Sequence, residues 1–291
     1  MATFLFIFNL LVKPSASEPP FRYIGSKKSF TNLSLKDQLF LVFCKFRHAF
    51  DFKDLAFRFN VSPQDACVIF KSWVNFMYFS FSSIPIWPSR DVIQTKMPQK
   101  FRSKFPDTVA IIDSTEIFID RPSSLKRQSQ CYSEYKSHTT FKALIAVDPR
   151  GSVIFISSLF GGSVSDNEIT LESGLLKLLA DLVSAGRLLP GDCLMCDRGF
   201  TSLEAAVAKF GLIVNKPPSL PAGQLQLNTC DVEATKKIAS SRIIVEQSIG
   251  RIKKFKILSR IPLSFCSSIN QIWFLCAYLT NFLPSIVRDN K

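Results

Sequence analysis

The chain has 291 residues, 47% hydrophobic and 20% charged, which excludes disorder as its main state and allows one large domain or a large one beside a small one. Thirty-six Lys and Arg against 23 Asp and Glu give a formal charge of +13, the balance expected of a protein that binds a polyanion. Eight cysteines are scattered without small-domain spacing, and the single C-x-x-C, Cys193 to Cys196, lies in a strand-like run with no second ligand pair beside it; this argues for reduced, structural thiols and against zinc.

The first twelve residues are apolar like the core of a secretory leader, but no basic residue precedes them and no small-residue cleavage site follows before Pro14, Pro19 and Pro20. Residues 1–30 are therefore expected to be a disordered tail. Residues 31–82 read as a helix-turn-helix bundle. Ser34 opens the first helix at capping-box spacing, with Leu39, Phe40, Phe43 and Phe46 on its apolar face. Asp51 caps a short second helix, Asn60-Val61 makes the turn, and Ser62-Pro63-Gln64-Asp65 opens the third, with Pro63 where a missing N–H costs nothing. The groove-facing positions of that third helix, Gln64, Asp65, Val68 and Lys71, carry one base and one acid, so DNA reading and simple packing of the bundle stand level here.

Residues 83–106, with Pro85, Pro88, Pro98 and Pro106, read as a linker, and 107–291 as the main domain. There the expected elements are a strand at 109–113, strands 141–147 and 153–159 joined by Asp148-Pro149-Arg150-Gly151, a helix over 167–185, a break at Pro190-Gly191-Asp192, a strand at 193–197, a helix at 202–209, a strand at 211–215 and a long helix over 232–257. The apolar segment 269–287 is interrupted by Asn270, Gln271, Asn281 and Pro284. It is expected as a buried terminal helix rather than a membrane span.

Three acids stand out in this β-β-β-α-β-α-β-α order. Asp113 ends the run Val109-Ala110-Ile111-Ile112, Asp197 ends Cys193-Leu194-Met195-Cys196, and Glu246 lies on the last helix. Acids immediately after buried strands project at the sheet edge, where open α/β sheets build their sites. Singly each has a plainer reading: Asp113 as a turn residue, Asp197 as a cap for the helix at Ser202, Glu246 as a surface partner of Arg242 or Arg251.

Five segments in order tighten the pattern: Ile112-Asp113-Ser114-Thr115-Glu116-Ile117-Phe118-Ile119, YSEYKSHTTFK over 132–142, GSVSDNEI over 162–169, Cys196-Asp197-Arg198-Gly199-Phe200, and RIIVEQSIGRIK over 242–253. Together they resemble the DDE superfamily endonucleases of the Harbinger-like transposase group over about residues 107–287, and the 34–81 bundle resembles the helix-turn-helix that precedes that nuclease. The resemblance implies an α/β chain, a ribonuclease H-like mixed sheet flanked by helices and preceded by a small all-α helix-turn-helix bundle. It implies Asp113, Asp197 and Glu246 as catalytic, metal-binding acids, with Asp113 bridging. Two divalent ions, Mg²⁺ or Mn²⁺, would serve phosphodiester hydrolysis or strand transfer, and only His48 and His138 are present to compete with an oxygen-only ligand set. Glu116, Asp120 and Asp166 are left outside the set, Asp166 either as a cap or as an auxiliary acid.

Lys136, His138, Lys142, Arg198, Arg251, Lys253 and Lys254 flank the acids and are expected to contact the DNA backbone; a solvated charged face is the plainer reading of the last run. Further expectations are a nuclear location, DNA as partner and no membrane, with a homo-oligomer and a separate DNA-targeting protein as further partners. Some family members carry an amino-terminal THAP-type zinc finger whose cysteine and histidine cluster has no counterpart here. The rival to the enzyme is a domesticated, non-catalytic DNA- or protein-binding module retaining the transposase fold.

Overall fold

A computed structural model describes residues 2–13, 16, 18–25, 32–218 and 228–287. In chain order the elements are α1 (Ala2–Leu11), α2 (Leu35–His48), α3 (Phe52–Phe59), α4 (Pro63–Ser82), α5 (Arg90–Thr95), α6 (Gln99–Lys104), β1 (Thr108–Phe118), α7 (Leu125–Cys131), β2 (Tyr132–Ser133), β3 (His138–Val147), β4 (Val153–Ile156), β5 (Phe160–Gly161), α8 (Asp166–Glu172), α9 (Leu175–Ser184), β6 (Cys193–Met195), α10 (Leu203–Ala208), β7 (Ile213–Asn215), α11 (Thr229–Lys253) and α12 (Ile269–Leu279). They pack as two compact units. One comprises Met1–Pro85, Ile117–Asp120 and Ile252–Leu283, the other Ile86–Glu116, Arg121–Arg251 and Pro284–Lys291.

In the helical unit the three expected caps are all made. Ser34, Asp51 and Ser62 accept through their side chains from the backbone N–H groups of Asp37, Asp54 and Asp65, each filling an otherwise orphaned donor of a first helical turn. Asn60 ends α3 in the left-handed region (φ 51°), which makes the tight turn into α4. Leu39, Phe46, Leu55, Ile69, Phe70, Trp73 and Met77 are shut from solvent, and each such side chain contributes about 1.5–3 kcal/mol through burial. The apolar later half of α4 is covered by α12: Phe81 stacks on Tyr278 with ring centroids 4.7 Å apart, and Gln271 donates to Asn75 at 2.9 Å. Segment 269–287 thus supplies the buried helix expected of it, cut to Ile269–Leu279. Within residues 1–30, Ala2–Leu11 is helical rather than irregular. One apolar face of it finds a cover, Ile7, Phe8 and Leu11 being buried while Phe4 meets Phe40 and Phe43 edge to face, and Leu5, Phe6 and Leu10 stay exposed.

A polar network inside this unit escapes a reading by periodicity. Gln38 is 1% exposed; its Oε1 accepts from Trp73 Nε1 at 3.0 Å and from the Tyr23 hydroxyl at 2.7 Å, while its Nε2 donates to the Leu33 carbonyl. Removing the acceptor leaves a buried indole N–H unpaired. Gln38→Ala is expected to destabilise the protein by about 1–3 kcal/mol in urea melts, with Trp73 fluorescence shifting as the indole loses its partner. A melt indistinguishable from the parent would show that the network contributes nothing.

The second unit holds a mixed sheet in the order β2-β3-β1-β6-β7, with β4 and β5 also on β3. β1, β6 and β7 run parallel, and β3 pairs with β4 antiparallel. Val109 to Ile112 and Cys193 to Met195 are buried at every position, as a parallel strand covered on both faces requires. The β3–β4 hairpin closes as expected: Asp148 Oδ1 accepts from the N–H groups of Arg150 and Ser152, and Gly151 takes φ 86°. Before β6, buried Asp192 accepts from the Leu189 N–H and pairs with Arg90 at 2.8 Å, which fixes the turn through Gly191. The order and pairing are those of a ribonuclease H-like mixed α/β fold, with a helical region ahead of it.

Three local expectations change. β1 does not stop at Asp113 but runs to Phe118, because Thr115 and Ile117 keep an inward, period-two alternation after the acid. The helix expected over 167–185 is two, α8 and α9, since Gly174 at φ 84° breaks it. Between Ile86 and Asp107 lie two short helices, α5 and α6, rather than a bare linker.

Candidate active site

Parallel pairing brings Asp113 and Asp197 together. The last rung between β1 and β6 is Ile111 with Met195; Asp113 follows two residues later within β1, and Asp197 two residues later just past the end of β6. Asp113 Oδ1 accepts from the Ser114 N–H at 2.9 Å, and Asp197 Oδ1 from the Arg198 N–H at 2.8 Å, so each carboxylate is oriented by its own backbone. The Asp113 side chain is 19% exposed and that of Asp197 52%.

From α11, Arg242 reaches both acids: one terminal nitrogen lies 3.7 Å from Asp113 Oδ1, the other 3.4 Å from Asp197 Oδ1. Arg242 is 8% exposed, and its Nε has no hydrogen-bond partner. Glu246, one turn further along α11, is exposed, and its charge is felt at Asp113. Burial pushes Asp113 up to about 6; the Arg242 guanidinium and the Ser114 N–H oppose this, and the charges of Glu246 and Asp197 add to it. Asp113 of β1 therefore feels the charges of Asp197, just past β6, and of Glu246 on α11. Among the described residues, however, no three acidic, histidine or cysteine side chains are already gathered as a shell for one metal ion. The donor set consists of carboxylates only, the chemistry that suits a hard divalent cation.

The remaining acids are engaged elsewhere. Glu116 accepts from buried Thr140 at 2.8 Å, Asp120 pairs with Arg260 at 2.7 Å, and Asp166 pairs with Lys142 at 2.8 Å. Asp166 also lies against Gly199, where a Cβ would come within 3.0 Å of its Oδ2. Ser165 caps α8 with a complete capping box to Glu168, and the next residue but one, Asn167, accepts from both the N–H and the hydroxyl of Ser202 and donates to Thr201. The GSVSDNEI segment thus holds the loop that follows Asp197. Asn167→Ala is expected to raise amide exchange in residues 198–202 about tenfold or more while β6 stays protected, because three hydrogen bonds to that loop are lost. Unchanged exchange there would remove Asn167 from this role.

Of the basic residues, Lys136, His138 and Arg198 are exposed; Lys136 lies over the Tyr135 ring, and a His138 ring nitrogen stands 3.0 Å from the Lys136 carbonyl. Lys142 is only 12% exposed and is committed to Asp166 and to the Val164 carbonyl. Arg251 donates to the Pro284 carbonyl, while Lys253 and Lys254 are exposed at the end of α11 and just past it. Burial pushes the Cys193 and Cys196 thiols up to about 12, as expected of structural rather than reactive cysteines. Sequence reasoning missed Arg242 as a partner of the two strand acids. Its spacing of four residues from Glu246 suggested a surface pair along the helix, whereas its ion pairs run across to the sheet.

Comparison with known proteins gives two family matches. The profile of the helix-turn-helix of DDE superfamily endonuclease matches residues 31–83, and that of the DDE superfamily endonuclease matches residues 112–281. No curated protein matches the chain. The second profile covers more than half of the chain, from the residue before Asp113 to beyond Glu246, and the chain belongs to the DDE superfamily endonucleases.

Proposed function

We propose that this protein is a divalent-metal-dependent DNA endonuclease of transposase origin, with Asp113, Asp197 and Glu246 as its catalytic acids. The observation that carries the reading is the convergence of Asp113, in β1, and Asp197, just past the end of neighbouring parallel β6, on one arginine of α11, with the charge of Glu246 from that helix felt at Asp113. These three carboxylates would hold Mg²⁺ or Mn²⁺, which when bound supplies an activated water or 3′-hydroxyl and stabilises the leaving oxygen. The chain itself orients two of the acids through the Ser114 and Arg198 N–H groups and steadies the Asp197 loop through Asn167. Lys136, His138 and Arg198, exposed and basic or polar, suit the phosphate backbone of DNA, which they would position without reading sequence. Lys142 instead serves the loop through Asp166.

The substrate and a nuclear location follow from this reading, as do a homo-oligomer or a separate targeting protein as partners. Among the described residues no helix is long and apolar enough to cross a membrane. The second reading, a non-catalytic DNA- or protein-binding module, is favoured by one observation: a buried arginine, not an open acidic cluster, lies between the strand acids. Incubation of supercoiled plasmid with the purified protein and a Mn²⁺ titration separates the two. Metal-dependent conversion to nicked circles supports the enzyme, and DNA retention that ignores metal, with no cutting at any concentration, supports the module.

A further inference from the structure

We infer that Arg242 is a built-in counter-cation of the acidic site: its guanidinium holds Asp113 and Asp197 together before a divalent ion arrives and competes with that ion for them. The inference rests on the reading of these acids as metal ligands. Its geometry is unusual for a structural salt bridge. A structural arginine in a buried position makes short, paired hydrogen bonds to its carboxylate. Arg242 instead stands 3.7 Å from one acid and 3.4 Å from the other, with its Nε unpartnered although the residue is 8% exposed. It is anchored to neither acid and central to both.

Coulomb attraction at such distances, in a partly desolvated site, counters part of the repulsion between Asp113 and Asp197. A divalent ion brought to the same carboxylates carries twice the charge and offers direct coordination, so it displaces the guanidinium rather than sharing the acids with it. Arg242 sits one helical turn from Glu246, and turning the guanidinium away leaves the backbone of α11 in place. Its effect is therefore on the positions of the acids and on metal affinity, which makes Arg242 a positioning residue.

The test compares the parent protein with Arg242→Gln and Arg242→Lys, reading thermal melting in EDTA and Mn²⁺ binding by electron paramagnetic resonance, with no DNA present. Arg242→Gln is expected to melt at a lower temperature in EDTA, because Asp113 and Asp197 lose their counter-charge, yet to bind Mn²⁺ about tenfold more tightly, the scale on which groups beside metal ligands alter affinity. Arg242→Lys is expected to restore much of both properties. A merely structural arginine predicts the opposite second result, weaker or unchanged Mn²⁺ binding once it is removed, and that result overturns the inference while leaving the metal-binding reading of the acids intact. Failure of the parent and of both variants to bind Mn²⁺ at all overturns that reading and the inference with it.

Discussion

Asp113→Asn, Asp197→Asn and Glu246→Gln are each expected to lower Mn²⁺-dependent nicking of supercoiled plasmid by about 10³-fold or more. The magnitude follows from what a metal-held carboxylate contributes to phosphodiester cleavage. Stabilising charge on the attacking and leaving oxygens is worth several kcal/mol, and each 1.36 kcal/mol is a factor of about ten in rate. All three substitutions keep side-chain shape, and Asp197 and Glu246 face solvent, so far-ultraviolet circular dichroism is expected to match the parent. Asp120→Asn serves as the internal control: Asp120 pairs with Arg260 and stands in the helical unit, so nicking is expected within about twofold of the parent, a surface pair being worth only about 0–1 kcal/mol. If the three site variants cut as well as the parent, the cutting does not come from these acids and the proposed site is lost.

The second large effect concerns stability and carries the opposite sign. In EDTA at pH 8, Asp113→Asn is expected to be more stable than the parent by up to about 3 kcal/mol. Asp113 titrates at about 6 in the folded chain against 3.8 for the ordinary carboxyl, because burial outweighs the help of Arg242 and the Ser114 N–H. A raised acid binds its proton more tightly when folded, so its contribution to stability is complete below about pH 4 and is lost as pH rises through 6; the shift corresponds to about 3 kcal/mol. Asparagine resembles the protonated acid at every pH and escapes that loss. Urea melts at pH 4, 5, 6 and 8 should therefore show the two proteins converging at the acid end and separating between 4 and 6. Parallel curves across the range would mean that Asp113 is not desolvated as its 19% exposure implies. An acid kept ionised at a stability cost is the pattern of a site selected for function rather than for folding.

Ser34, Asp51, Ser62 and the Asp148 to Gly151 hairpin were legible residue by residue, because a cap or a tight turn is closed by hydrogen bonds reaching no more than four residues along the chain. Continuous apolar runs likewise marked Val109 to Ile112 and Cys193 to Met195 as buried parallel strands, and five motifs in order carried the family and with it the fold. Element ends were less legible. The continuation of β1 past Asp113 depends on partners that hold Thr115 and Ile117 inward, and the division at Gly174 depends on a single backbone angle.

What only the tertiary structure decided is which polar groups meet. Arg242 reads by spacing as a surface partner of Glu246, yet it lies between two acids more than 40 residues away in sequence, and Gln38, which no spacing singles out, is buried against Trp73 and Tyr23. Lys142 reads as a free phosphate contact and is committed to Asp166. Local sequence sets a helix, its cap and its apolar face through neighbours three and four residues apart. The burial and partner of a charged side chain depend instead on the register of strands brought together from distant parts of the chain, here the rung of Ile111 with Met195 that comes two residues before both Asp113 and Asp197.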